Sequence, residues 1–150
     1  MSGDAAPPPQ SFDPAAFIER LGGRTHNAFI GMRHVAHGAD WAELAFDHDP
    51  KLVGDPASGI LASGPIISLM DMTSGLSIWL ASARYEPIVT IDLRLDYLRP
   101  ARPGRGVHAR AQCYRLTRSV AFVRGQAHDG EPERPIAHAA GTFMFSGPAG

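Results

Sequence analysis

A single carboxylate, Asp71, lies in a long apolar segment of this 150-residue chain. The segment runs from Ile60 to Ala83, and only small or weakly polar residues interrupt it elsewhere. Ser63-Gly64-Pro65 indicates a helix start, because proline fits the first turn of a helix. From there to about Arg84, apolar side chains cover nearly the whole circumference, which predicts a helix buried on most sides.

A carboxylate on such a helix can take a proton from water or attack a carbonyl carbon, so Asp71 is the candidate acid–base residue. Burying an unpaired carboxylate is costly, which favours a functional site or a specific partner over a plain helix position. The helix N-terminus at Ser63 and Gly64 carries unpaired N–H groups and the positive dipole end, which suit a developing oxyanion. We interpret Ser68 and Ser74 as small residues that permit close approach to the helix.

The hydrophobic period changes from 3.6 to 2 after the helix, where Val89 to Tyr97 alternate with polar residues including Thr90. This pattern predicts a strand with one buried face. Three more strands are predicted at about 107–114, 120–128 and 136–145, and short connections favour an antiparallel meander of these last four strands. Before the helix, the chain predicts a short helix from Asp13 to about Leu21 and strands at about 28–37 and 40–47. The intervening residues 48–59 are predicted to form a loop.

These elements predict the α+β class, with an antiparallel sheet of six strands wrapped around one long central helix. The length suits one domain, which we place at residues 11–150, after a Pro/Ala-rich tail at 1–10 that is predicted to be disordered. Polar and small residues break the apolar segment, so no membrane span is expected. The single Cys113 and the lack of a signal-peptide pattern favour the cytoplasm.

The net charge of −1 hides an uneven distribution, since eight of the 14 basic residues are arginines between positions 99 and 134. Arginine suits bidentate contacts with phosphate, so this cluster could serve an anionic ligand, although the pattern by itself favours a solvated strand face. Nucleic acid is not an expected partner, because the chain as a whole is not basic and no recognition motif occurs.

The stretch from Gly59 to Asp71, GILASGPIISLMD, resembles the helix-start motif of the PaaI-like acyl-CoA thioesterases of the hotdog fold. That motif is a glycine, two apolar residues, His-Gly-Gly, and an aspartate nine positions after the histidine. The segment TIDLRLDYLRPA at 90–101 resembles the strand that follows this helix in the family. The segments at 27–32 and 117–123 resemble its first strand and its next hairpin, so the likeness spans roughly residues 17–146.

The resemblance implies hydrolysis of acyl-CoA thioesters at a site shared by two subunits. Asp71 would be the general base or the nucleophile, and the N–H of Ser63, with Gly64, would bind the oxyanion from the partner subunit. Thr90 would orient the water or assist the carboxylate. The family implies a homodimer or a dimer of dimers and no metal or redox cofactor. Candidates for contact with the CoA phosphates are Arg99, Arg102, Arg118 and Ser119.

Three positions depart from the family pattern: Ala62 replaces the histidine, Ser63 follows it in place of glycine, and Pro56 replaces a frequent asparagine. The enzyme could work without these groups, or take another polar group from the loop 48–59, such as His48 or Asp55. The rival hypothesis is a hotdog protein that binds an acyl-CoA or a similar ligand without hydrolysing it. We interpret the seven histidines as surface or turn residues, since none has metal-ligand spacing.

Overall fold

The computed structural model describes residues 12–147, so the predicted disordered tail at 1–10 lies outside the described residues. The first helix, α1, runs from Pro14 to Arg20. Asp13 caps it by accepting hydrogen bonds from the N–H groups of Ala15 and Ala16 at 3.0 and 3.2 Å. The predicted N-cap and the proline at the first helical position are therefore confirmed.

The strand predicted from about Ala28 is wrong in its first part, because residues His26–Ile30 form a second short helix, α2. The Thr25 hydroxyl caps it by accepting from the Ala28 N–H at 3.1 Å. Gly31 closes it in the left-handed conformation at φ 79°, which glycine adopts without steric cost. The first strand, β1, is accordingly shorter, Arg33–His37.

The bounds of the strands after β1 are β2 Trp41–Phe46, β3 Val53–Asp55, β4 Ile60–Leu61, β5 Ile88–Tyr97, β6 Val107–Leu116, β7 Val120–His128 and β8 Ala137–Phe145. The main sheet has six strands in the order β1-β2-β6-β7-β8-β5, all antiparallel. Between β2 and the long helix, a 3₁₀ turn at Pro50–Leu52 leads into a small hairpin of β3 and β4, and β3 lies in the stretch predicted to be a loop.

The long helix, α3, runs from Ser63 to Ser82 and packs against β2, β6 and β7. Its buried residues include Leu69, Met70 and Leu76, none of which is exposed to solvent. The six-stranded antiparallel sheet around a long helix confirms the predicted hotdog fold and the α+β class. No helix within residues 12–147 has the length and apolarity needed to cross a membrane.

The predicted meander of the last four strands is correct for β6, β7 and β8 but wrong for β5. This strand pairs with β8, which leaves β6 free to pair with β2. The connection at 98–106 must therefore cross three strand spacings, about 14 Å. Its residues can span about 30 Å when extended, so the crossing needs no strain.

A bulge between Thr90 and Asp92 changes which side chains of β5 face the helix. The extra residue puts Thr90 on the same side as Leu93 and Leu95, which are partly buried against the core. Ile91, expected on the buried face, is instead 55% exposed. The simple alternation predicted for β5 therefore holds only after the bulge.

Candidate active site

Asp71, in the third turn of α3, lies against Thr90 of β5. The Thr90 hydroxyl donates a hydrogen bond of 2.8 Å to Oδ1 of the Asp71 carboxylate. Asp71 is half-buried, and no other hydrogen bond holds its carboxylate among the described residues. The fold thus joins two residues that are 19 positions apart in the chain, and it leaves one carboxylate oxygen free to accept a proton.

The start of α3 presents two N–H groups that have no hydrogen-bond partner within residues 12–147. A helix leaves its first four N–H groups without intrahelical partners, which here belong to Ala62, Ser63, Gly64 and Pro65. Ala62 donates its N–H to the Leu52 carbonyl at 2.9 Å, and proline has no N–H. The adjacent donors of Ser63 and Gly64 remain, and both residues are exposed.

The side chains around this helix start do not block those donors. Ala62 occupies the N-cap position, and it offers no side-chain acceptor. A Cβ atom added at Gly64 would have no heavy atom within 4 Å apart from its chain neighbours and the backbone of its own helix. Tyr97, at the end of β5, donates from its hydroxyl to the Ser63 carbonyl at 3.4 Å, and burial raises the pKa of this phenol. The helix start is therefore open to a ligand on one side and held by β5 on the other.

Arg99 and Arg102 have a different partner from the one predicted. Both bind the Asp129 carboxylate, which is completely buried. Arg99 makes a bidentate contact at 2.8 and 2.9 Å, and the Arg102 backbone N–H adds a third bond at 2.8 Å. The hydrogen bonds from Arg99 hold the pKa of Asp129 well below its ordinary value. These two guanidinium groups therefore fix the segment after β5 to the β7–β8 connection, and we leave them out of the proposed CoA contacts.

Arg118 and Ser119 form the exposed tip of the β6–β7 hairpin. The Ser119 carbonyl accepts from the Phe145 N–H at 2.9 Å, and Phe145 is paired with Ile88 at the start of β5. The tip therefore lies at the end of the sheet where β5 begins, two residues before Thr90. Arg118 forms no ion pair with any residue between 12 and 147, so the role predicted for this tip stays a prediction.

The loop residues considered as substitutes for the missing histidine are differently placed. Asp55 accepts hydrogen bonds from the Ser58 hydroxyl at 2.5 Å and the Ala57 N–H at 3.1 Å. These bonds lower the pKa of Asp55 and tie it to its own turn. His48 lines a separate cavity of about 410 Å³ together with Pro56.

His26 is exposed, as the sequence predicted, and it also lies beside α3. Its Nε2 is 2.8 Å from the Ser68 hydroxyl oxygen. Sequence reasoning missed this pair because it placed residues 28–37 in a strand and treated Ser68 as a packing residue. The signal was the Thr25 cap, which starts α2 and so brings His26 toward the long helix.

A second missed group, Glu43, His108 and His128, lies on the outer face of the sheet. Its potential ligand atoms lie within 4.8 Å of one another, which makes the group a candidate metal site. Hydrogen bonds already account for the cluster: His108 Nδ1 is 3.0 Å from Glu43, and His128 Nδ1 accepts from the Gly130 N–H at 3.1 Å. Because His128 Nδ1 accepts this bond, the proton of the neutral ring lies on Nε2, and neither nitrogen is free to bind a metal. The group therefore fits a hydrogen-bonded network better than a metal centre.

Comparison with known proteins places this architecture in a family. The model of the thioesterase superfamily matches residues 58–136, which include α3, β5 and β6. The medium/long-chain acyl-CoA thioesterase YigI of Escherichia coli strain K12 is 35% identical over 131 residues, covering 79% of this chain and 83% of YigI.

Solved structures agree in the fold. A Pseudomonas aeruginosa protein of 37% identity has a TM-score of 0.75 and covers 87% of this chain and 94% of its own. A mutant of the phenylacetic acid degradation protein PaaI from Thermus thermophilus is 24% identical, with a TM-score of 0.67 over 78% of this chain and 95% of its own. The chain therefore belongs to the thioesterase superfamily and is a thioester hydrolase of the hotdog fold.

Proposed function

We propose that this protein hydrolyses acyl-CoA thioesters at a site formed by Asp71 of one subunit and the start of α3 in its partner. The observation that carries the proposal is the hydrogen bond from Thr90, which fixes the Asp71 carboxylate beside the exposed side of α3. The similarity to YigI, named as a medium/long-chain acyl-CoA thioesterase, supports acyl-CoA as the substrate class. We also propose that the protein is a PaaI-like member of the superfamily and that it acts in the cytoplasm.

A single chain cannot bring the two halves of the site together. Asp71 and Ser63 are eight residues apart on one helix, a separation of about 12 Å along its axis. A thioester carbonyl bound at the N–H groups of Ser63 and Gly64 is therefore out of reach of the same chain's Asp71. A second copy of α3, antiparallel to the first, would bring its own Ser63 and Gly64 close to Asp71.

Ile67 marks the place where two copies of α3 would cross. It is 42% exposed, whereas the other large apolar side chains of α3 are buried or half-buried. It also stands midway between Ser63 and Asp71, four residues from each. A two-fold axis at Ile67 would therefore place each Asp71 opposite the partner's Ser63, so that one dimer would contain two complete sites.

The edge strand β5 offers a second contact for the same dimer. It forms one edge of the sheet, and Val89 and Ile91 are 44% and 55% exposed. A long edge strand with exposed apolar side chains is a template for pairing with another chain. Pairing of β5 with its copy would join two sheets, and a further association into a dimer of dimers remains part of the proposal.

The chemistry follows from this arrangement. Asp71 takes a proton from a water molecule as the oxygen attacks the thioester carbon, or its carboxylate attacks directly and water then hydrolyses the resulting anhydride. The N–H groups of Ser63 and Gly64 bind the oxyanion, and loss of one such donor typically costs about 10²–10³ in rate. In the first route the C–S bond breaks next, Asp71 returns its proton to the departing CoA thiolate, and the carboxylic acid and the free thiol result. In the second route the C–S bond breaks as the anhydride forms, and the CoA thiolate takes its proton from the water that then hydrolyses the anhydride. Arg118 and Ser119 are the proposed contacts for the CoA phosphates.

The alternative is binding of an acyl-CoA without turnover. Ala62 favours it, because this position at the helix start lacks the histidine of the PaaI-like motif. The retained carboxylate with its threonine partner favours hydrolysis.

Thiol release from a panel of acyl-CoAs separates the two. Turnover by the wild type should fall at least about 100-fold in Asp71→Asn, as expected for the loss of a general base. The matched control is Asp47→Asn, whose carboxylate is 82% exposed and paired with Arg33. Binding of acyl-CoA without thiol release at any chain length would refute hydrolysis and support the binding protein.

A further inference from the structure

The pair His26–Ser68 belongs to a cleft between α2, β3 and the first turns of α3. The cleft has a volume of about 290 Å³, room for about ten groups the size of a water molecule. Its walls are mainly apolar, and they are formed by Phe29, Ile30, Leu52, Val53, Ala62 and Pro65. Such a cleft can take a hydrocarbon chain of medium length.

The cleft is continuous with the proposed oxyanion site. Gly64 contributes to its wall, and its N–H is one of the two unpaired donors of the helix start. Ser68 lies one helical turn further along the same wall, about 6 Å away. A chain attached to a carbonyl bound at Gly64 can therefore enter the cleft and pass the hydroxyl of Ser68.

After the hydrogen bond between them, the two polar side chains can still form a hydrogen bond with a ligand. The bond of 2.8 Å between His26 Nε2 and the Ser68 oxygen uses one proton. If Ser68 donates it, the serine oxygen still accepts a hydrogen bond; if His26 donates it, the serine hydroxyl still donates one. The pair can therefore complement a substrate hydroxyl, which is both a donor and an acceptor, whereas a plain methylene gains nothing from it.

The position of the hydroxyl along the acyl group follows from bond lengths. A hydroxyl on carbon 3 of an acyl group lies about 3–4 Å from the carbonyl carbon. A hydrogen bond of about 2.8 Å from that oxygen reaches a partner about 6–7 Å from the carbonyl carbon. This reach is comparable to the single helical turn that separates Ser68 from Gly64, so a hydroxyl near carbon 3 can approach the pair while the carbonyl is held at the helix start.

We propose that His26 and Ser68 form a specificity-determining pair that selects acyl thioesters with a hydroxyl near carbon 3 over plain acyl thioesters of the same length. This inference rests on the proposed function for its substrate, but it concerns residues that take no part in the hydrolytic step. Lys51, whose ammonium lies 4.8 Å from the centre of the Phe29 ring, lines the same cleft and adds a positive charge to an otherwise apolar wall.

The test compares kcat/KM for 3-hydroxydecanoyl-CoA and decanoyl-CoA. One net hydrogen bond between neutral groups corresponds to about a five-fold preference, which the wild type should show for the hydroxylated substrate. Ser68→Ala and His26→Ala should bring the ratio close to one, and Ser68→Thr, which keeps the hydroxyl, should retain the preference. The control His138→Ala removes an exposed histidine on β8, and its ratio should equal that of the wild type.

The ratio separates selectivity from a general loss of structure, because misfolding lowers both rates together. A wild-type ratio of one or below, or a ratio unchanged in both Ser68→Ala and His26→Ala, overturns the inference while the proposed function stands. If neither thioester is hydrolysed, the proposed function fails, and binding of 3-hydroxydecanoate and decanoate by calorimetry decides the inference. A five-fold tighter binding of the hydroxy acid that Ser68→Ala abolishes supports it, and equal affinities refute it.

Discussion

The hydrogen bond between Thr90 and Asp71 can be removed with little change in shape. Thr90→Val replaces the hydroxyl by a methyl group and keeps the β-branched side chain that a strand favours. The substitution removes the 2.8 Å bond to Oδ1 of Asp71 and, among the described residues, no other side-chain hydrogen bond. Its effect therefore reports on how the carboxylate is held during hydrolysis.

The size of the effect follows from the type of bond. A hydrogen bond to a charged group contributes about 1.5–3 kcal/mol, and exposure of Thr90 in the single chain places this bond at the lower end. A value of about 1.5 kcal/mol corresponds to about a ten-fold change in rate. We expect kcat to fall by about this factor with KM nearly unchanged, because Thr90 is expected to act on the carboxylate and not on substrate binding.

Steady-state thiol release with a single acyl-CoA measures both constants. Thr90→Ser keeps the hydroxyl and should retain most of the wild-type kcat, so it is the matched control. Thermal melting of all three proteins shows whether stability has changed. Full kcat in Thr90→Val, or an equal loss in the valine and serine variants, would refute a role of this hydroxyl in placing the carboxylate.

Two other predictions concern stability and assembly. Asp129→Ala should lower the free energy of unfolding by about 3 kcal/mol in urea at neutral pH, since it leaves two guanidinium groups without their carboxylate. The pKa of Asp129 is held below its ordinary value of 3.8, so the wild-type advantage should be present above about pH 4 and shrink as the pH falls below that; a constant difference down to pH 2 would contradict this. Ile91→Lys should block pairing of the β5 edge, giving monomers by analytical ultracentrifugation and loss of turnover with an unchanged circular dichroism spectrum, whereas a dimer of full activity would refute the proposed interface.

Much of the fold was predictable because its signals are local. The cap at Asp13 and the all-round apolar pattern of α3 depend on neighbours within a few residues, and both were confirmed. The family motif also identified Asp71 and the helix start as a candidate pair. The errors arose where a local pattern was ambiguous. The apolar residues around Ala28 are compatible with a strand, but the cap at Thr25 starts a helix there, and Ala28 lies in α2.

The site depended more strongly on long-range structure. The sequence placed Thr90 on the polar face of its strand, and only the bulge of β5 turned it toward Asp71. The arginine cluster predicted contacts with an anionic ligand. In the structure, Arg99 and Arg102 instead bind the carboxylate of Asp129, which the pairing of the strands brings close to them. Likewise, the approach of His26 to Ser68 required α2 to pack beside α3.

The sequence by itself determined the long buried helix, the antiparallel strands and the carboxylate at Asp71, because hydrophobic periodicity and caps act over short distances in the chain. Only the tertiary structure decided that β5 pairs with β8 and that Thr90 holds Asp71. Each of these depends on register between segments far apart in the chain, where a shift of one residue moves a side chain to the opposite face of the sheet.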